Sequence, residues 1–236
     1  MALFRFKRFD VDDRDCGQKI CSDSVLLGAW FLSAHIDAKS VLDVGTGSGL
    51  LALMATDMLP GASVTAVELE AEAAAAAKHN FEASPWASRL KLLEGDFHTA
   101  QQTDGYDVII CNPPFFSNGE RAENHARASA RHEDTLSYSS LIDFASDNLA
   151  HDGHLGLIAP ADREQEIIFH GELAGLSLRR LCRVHTSSQK PATRILMDFS
   201  RTPGAQQTQK LAIRESSGVY SDSYLSLVSD IYLTLK

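Results

Sequence analysis

The sequence has no apolar run near the ~20 residues that cross a bilayer, which excludes a membrane-spanning helix. Its start, Met1-Ala2-Leu3-Phe4-Arg5-Phe6-Lys7-Arg8, lacks the apolar stretch and small-residue cleavage site of a signal peptide. Cys16, Cys21, Cys111 and Cys182 form no CxxC pair and have no histidine at zinc spacing, so they read as reduced thiols and no metal is expected. Positive charge is scarce overall, and the net charge of −9 argues against a protein coated in nucleic acid. Repeats and low-complexity tracts are lacking apart from an alanine-rich run after Leu69. These absences point to a cytoplasmic protein without membrane partners, and a monomer is expected. What is present is 236 residues of 44% hydrophobic content, enough for one core, so residues 1–236 are expected to form a single domain.

The stretch around which the chain is organised is Val41-Leu42-Asp43-Val44-Gly45-Thr46-Gly47-Ser48-Gly49-Leu50-Leu51. Val41, Leu42 and Val44 suit a strand buried on both faces, and Leu50–Met58 reads as the following helix. Alternating glycines between them allow a sharp turn and close approach of a ligand to backbone N–H groups at a helix start. Further strands are expected at Ser63–Val67, Arg89–Leu93, Gly105–Cys111 and His154–Ala159. Helices are expected at Ser24–His35, Leu69–Phe81, Tyr138–Leu149 and Arg163–Leu173. Leu178–Val184 and Arg194–Phe199 suit an antiparallel pair, Lys210–Arg214 a late strand, and Leu225–Leu235 either helix or strand. The alternation predicts an α/β fold: a doubly wound, mostly parallel sheet of about seven strands with an antiparallel C-terminal pair. Residues 1–35 form an opening segment and a helix packed on that core, with the Phe4–Phe9 region most simply an edge strand. Asp23 or Ser22 is the natural N-cap of the helix.

In such a sheet ligands bind beyond the carboxyl ends of the strands, where Asp43–Gly49, Glu68, Asp96-Phe97 and Asn112–Phe115 all fall. Glu68 lies near the ~20-residue spacing of an acid that accepts from both ribose hydroxyls. Asp96 offers an acceptor for an adenine amino group, and Phe97 an aromatic face. Together with Gly45, Thr46, Gly47 and Gly49, these residues describe a pocket for an adenosine-containing cofactor. A dinucleotide fingerprint would need a small residue at Leu50, which argues against an NAD-dependent oxidoreductase. The Asp43-x-Gly45-x-Gly47-x-Gly49 pattern resembles that of S-adenosylmethionine-dependent methyltransferases of the Rossmann-like class.

Asn112-Pro113-Pro114-Phe115 resembles the signature of methyltransferases that act on a conjugated amino group in adenine, cytosine, guanine or glutamine. Such a nitrogen is a poor nucleophile because its lone pair is delocalised. The Asn112 side-chain oxygen and Pro113 carbonyl can hold its two hydrogens and favour the pyramidal form. Pro113 and Pro114 stiffen the backbone, and Phe115 can stack on a flipped base.

With Gln18-Lys19-Ile20-Cys21-Ser22-Asp23-Ser24-Val25-Leu26-Leu27-Gly28-Ala29-Trp30 ahead of the glycine motif, the chain resembles the bacterial tRNA(Val) adenine-N6-methyltransferase family. The resemblance runs through to Tyr224 and Asp230-Ile231-Tyr232-Leu233. It implies methylation of the adenine just 3′ of the anticodon, at tRNA position 37, and adds Lys19 and Asp23 to the cofactor-binding set. The family usually has Gly and Thr at Cys21 and Ser22, and Gly at Ser24. Guanine-N2 rRNA methyltransferases, glutamine-N5 protein methyltransferases and a non-catalytic RNA-binding protein are the rivals. The enzyme rivals commonly carry an extra N-terminal domain, whereas about 40 residues precede the first strand here. Intact Asp43, Glu68 and Asn112 speak against the non-catalytic reading.

A tRNA substrate requires a basic surface on an acidic protein. From Arg179 to Arg214 there are eight basic residues and one acid, Asp198. Lys190 and Arg194, with Arg5, Lys7, Arg8 and Arg121, Arg127 and Arg131, are the candidates for a phosphate track. The alternative is that these arginines solvate the outer faces of the last strands.

Overall fold

The structure is a computed structural model that describes residues 3–13, 20–114 and 136–234. Lys19, Phe115, Arg121, Arg127 and Arg131 lie outside the described residues. The chain opens with β1 (Leu3–Arg5) and β2 (Asp10–Asp12), an antiparallel pair that forms a sheet of its own. The expected edge strand is therefore a separate hairpin. Phe6 and Phe9 stack at 4.9 Å between ring centres and pack on Tyr232 and Trp86, so these rings anchor the hairpin to the body.

Helix α1 (Ser22–Leu32) leads to β3 (Ser40–Val44), α2 (Leu50–Met58), β4 (Ser63–Glu68), α3 (Ala71–Ala83), β5 (Leu90–Glu94) and β6 (Tyr106–Cys111). There follow α4 (Tyr138–Asn148), β7 (Leu149–Pro160), α5 (Glu164–Leu173), β8 (Ser177–Ser187), β9 (Ala192–Ser200), β10 (Gln207–Arg214) and α6 (Asp222–Val228). The main sheet has the order β10-β8-β9-β7-β6-β3-β4-β5. Only β9 runs against its neighbours β7 and β8, and β10 adds an eighth strand parallel to β8. The C-terminal stretch that admitted helix or strand contains the end of α6.

The central strands bury both faces, as their near-continuous apolar runs require. Val41, Val108 and Ile110 enter one core with α1, α2, Phe81 of α3 and α6, while Leu42, Val44, Ile109 and Cys111 enter the other with α4 and α5. This period-two division follows from the pleat. A Cβ at Gly156 would overlap the Phe31 ring, so glycine there lets α1 seat closely on β7. Helix α1 starts at Cys21 without a side-chain cap, so neither Ser22 nor Asp23 serves as the expected N-cap. The Asp23 carboxylate instead accepts from Arg194 Nε at 2.8 Å, joining the start of α1 to β9.

A cluster of charged and polar side chains lies inside this packing. Asp198 of β9, fully buried, is 2.6 Å from His154 Nδ1, 3.2 Å from His35 Nε2 and 3.6 Å from Arg180 Nη1. His154 is level with Val108 and Val41, at the starts of β6 and β3. The cluster ties the segment after α1 to β7, β8 and β9.

Candidate active site

Parallel pairing brings the ends of β4, β3 and β6 side by side: Val44 opposes Val67 on one side and Cys111 on the other. Neighbouring strands lie about 4.8 Å apart, which puts Glu68 and Asn112 roughly 10 Å apart across the crevice mouth. The glycine turn fits its sequence: Gly45, Gly47 and Gly49 have φ of 66°, 57° and 86°, a region costly for other residues. The Gly45 and Thr46 N–H groups both donate to the Val67 carbonyl, clamping the turn to β4.

Two acids frame this turn. Asp43 is fully buried; one oxygen accepts from Thr46 Oγ1 at 2.5 Å and from the Ala52 N–H at 3.0 Å. Its other oxygen, Oδ1, has no partner among the described residues. Burial pushes its carboxyl up to about 7, against the two hydrogen bonds and with help from the Glu68 charge. Glu68 spans the crevice floor, accepting from the Gly47 N–H at 2.8 Å and the Glu70 N–H at 3.0 Å. A carboxylate has about four acceptor positions, so two remain for ligand hydroxyls.

Asp96 caps the short helical turn Phe97–Thr99 and accepts from the His98 N–H at 2.9 Å. Partial burial works to raise its carboxyl, but the His98 backbone, ring and charge together outweigh that and leave it lowered. Phe97 is a core ring, 6% exposed and edge-on to Phe144.

Asn112 follows β6 directly and is 9% exposed. Its Nδ2 donates to Ser24 Oγ at 2.8 Å and to Cys21 Sγ at 3.7 Å, while Oδ1 has no partner among the described residues. Pro113 is buried and Pro114 exposed. Beside it, burial and the charges of Asp43 and Glu68 push the Cys111 thiol up, which keeps it protonated and inert. Tyr138, at the start of α4, is pushed up to about 12, mainly by burial, and so is held neutral. Cys21 and Ser24 were not among the expected site residues, because contacts across 91 and 88 residues leave no periodic signal.

The basic candidates divide. Lys190, exposed in the β8–β9 turn, and Arg194 lie at the crevice end of the sheet, with Arg194 bonded to Asp23. Arg5 lies 4.0 Å from Asp10 within the hairpin, and Lys7 is exposed in its turn. Arg8 donates to Asp57 near the far end of α2, away from the glycine turn. Much of the surplus on the last strands is engaged internally. Arg183 pairs with Glu164, Arg180 with Asp198, and Arg179, Arg201 and Arg214 donate to the carbonyls of Thr202, Leu149 and Gly218.

Residues 20–176 match the methyltransferase small domain family. A tRNA1(Val) (adenine(37)-N6)-methyltransferase from Vibrio cholerae is 38% identical, with 98% of this chain and 95% of the relative covered. One of the same description from Photobacterium profundum is 40% identical over 98% of each chain. The chain belongs to the tRNA1(Val) (adenine(37)-N6)-methyltransferase family. Its fold is also that of a predicted O-methyltransferase from Agrobacterium tumefaciens, with a TM-score of 0.67 at 21% identity, covering 88% of this chain and 96% of that one. A methyltransferase from Pyrococcus furiosus matches with a TM-score of 0.59 at 21% identity, over 83% and 90% of the two chains. The cofactor of this class is S-adenosylmethionine, and the residues present fit it. Glu68 has free acceptor positions beside an open glycine turn, and the buried Asp43 Oδ1 lacks a donor among the described residues.

Proposed function

We propose that this protein methylates N6 of an adenine in tRNA, at position 37 beside the anticodon of valine tRNA. The observation that carries the reading is the Asn112 side chain, whose Nδ2 is held by α1 while Oδ1 remains a buried acceptor without a partner among the described residues. A buried acceptor of this kind is costly unless a donor arrives, and an exocyclic amino group brings two. Asn112 Oδ1 takes one hydrogen and the Pro113 carbonyl the other, turning the nitrogen lone pair out of conjugation. When bound, S-adenosylmethionine supplies an electrophilic methyl on a sulfonium. Glu68 takes the ribose hydroxyls, Asp96 the adenine amino group, and the Asp43–Gly49 turn lines the remaining contact, so that the reacting atoms are held in line. Phe115, outside the described residues, is assigned the stacking contact with the flipped base.

In this reading Lys190 and Arg194 take phosphates near the anticodon loop, and the protein works as a monomer in the cytoplasm, over residues 1–236 as one methyltransferase domain. No helix among the described residues is long and apolar enough to cross a membrane.

The test is nucleoside analysis of tRNA and rRNA from a strain lacking this gene. N6-methyladenosine should disappear from valine tRNA and return with the wild-type gene but not with Asn112→Ala. Retention of that nucleoside, with loss of N2-methylguanosine from rRNA or of methylated glutamine from a protein, would replace the reading by one of its rivals.

A further inference from the structure

The Asn112 carboxamide has two chemically different ends, and the proposed chemistry needs one of them. If Oδ1 faces the crevice the residue accepts from an amino group; if Nδ2 does, it repels one. Free rotation about the last torsion would let either end present itself. Three observations bear on what prevents this. Nδ2 lies 2.8 Å from Ser24 Oγ and 3.7 Å from Cys21 Sγ, so both of its N–H groups are directed at α1. Oδ1 has no partner among the described residues. The residue is 9% exposed, so water does little to offset a wrong choice. In the observed orientation one acceptor waits; in the reverse orientation two N–H donors would wait, the costlier arrangement for a buried group.

We infer that Ser24, assisted by Cys21, is the positioning residue of this site. Its hydroxyl holds the Asn112 amide with Oδ1 toward the substrate. It touches no reacting atom and acts through Asn112, and so deepens the amino-group reading. Ser24 is well placed for this. It lies in the first turn of α1, whose body is seated on β7 through Phe31 and Gly156 and whose start is tied to β9 by the Asp23–Arg194 pair. The acceptor is therefore presented by a rigid element, across 88 residues of chain, to the end of β6.

The experiment compares Ser24→Ala, Ser24→Gly and Ser24→Thr in the full-length protein. With valine tRNA as substrate, Ser24→Ala and Ser24→Gly should lower kcat about tenfold, the loss of one well-placed hydrogen bond. S-adenosylmethionine affinity, measured by calorimetry, and melting temperature should stay near wild type. Ser24→Thr, which keeps the hydroxyl, should restore kcat. Combined with Asn112→Ala, Ser24→Ala should add no further loss, because it works only through that side chain. A substrate-free readout separates this inference from the assigned reaction: the two Asn112 side-chain N–H resonances should shift in Ser24→Ala and return in Ser24→Thr. Wild-type kcat in Ser24→Ala, losses that multiply with those of Asn112→Ala, or amide resonances unmoved by the substitution would each overturn it. If wild-type protein fails to methylate tRNA while those resonances still respond to Ser24, the amide lock stands and the assigned reaction falls.

Discussion

Asp43 and Asp198 are equally buried and behave in opposite ways. Asp43, at the glycine turn, has its carboxyl raised to about 7; Asp198, between β7 and β8, has its carboxyl lowered. Burial raises both, so burial alone does not decide the outcome. Asp43 accepts only from neutral donors, Thr46 and Ala52, and faces the Glu68 charge. Asp198 is held by His154 and His35, with the Arg180 guanidinium close by. Both Asp198 oxygens are engaged by His154, His35 and Arg180, whereas Asp43 Oδ1 has no partner among the described residues. Asp43 Oδ1 and Asn112 Oδ1, two buried acceptors without a partner among the described residues, lie at the strand ends where a ligand belongs.

The largest test of that contrast is the pH dependence of stability with and without Asp43. Below about pH 3.8 its carboxyl is protonated in both folded and unfolded chains. Between there and about 7 the unfolded chain has lost the proton and the folded one keeps it, so the Asp43 contribution to stability falls as pH rises and levels off above 7. The difference in unfolding free energy between wild type and Asp43→Asn should therefore drop by on the order of 4 kcal/mol across that window. A difference that stays flat in denaturant titrations from pH 4 to 8 would remove the contrast.

Asp198→Ala should destabilise the fold by about 3 kcal/mol, as removal of one member of a buried charged group does. Cofactor affinity should be preserved. Next in size, Asn112→Ala should lower turnover by about a hundredfold, typical of a lost transition-state contact, with cofactor affinity within a few fold. Near-wild-type turnover would mean that its free acceptor is not the substrate contact. Glu68→Ala should weaken S-adenosylmethionine binding by about 2 kcal/mol, because charge-assisted hydrogen bonds are lost. NAD should fail to raise the melting temperature of the wild type.

The smallest effect concerns RNA. Lys190→Ala should reduce the slope of log affinity against log salt by just under one, the signature of a single phosphate contact. Arg194→Ala should do more than that, since it also frees Asp23 at the start of α1. An unchanged slope in both variants would place the tRNA on another face.

The parallel alternation, the glycine turn and the row of polar residues at the strand ends are legible in the order of residues alone. Each is a local matter. A strand buried on both faces needs a continuous apolar run, a sharp turn needs positive φ, and strand ends in such a sheet are adjacent whatever else the chain does. Which polar groups meet is settled by packing between distant segments. Ser24 and Asn112, Asp23 and Arg194, and His35 and Asp198 are separated by 88, 171 and 163 residues, beyond the reach of any periodicity. The same holds for charge. A run rich in arginine reads as a surface for phosphates until packing shows Glu164, Asp198 and several carbonyls already taking those donors. Composition counts charges, but how far a charge is available to a ligand depends on the partners the fold gives it. That depends on where distant segments come to lie.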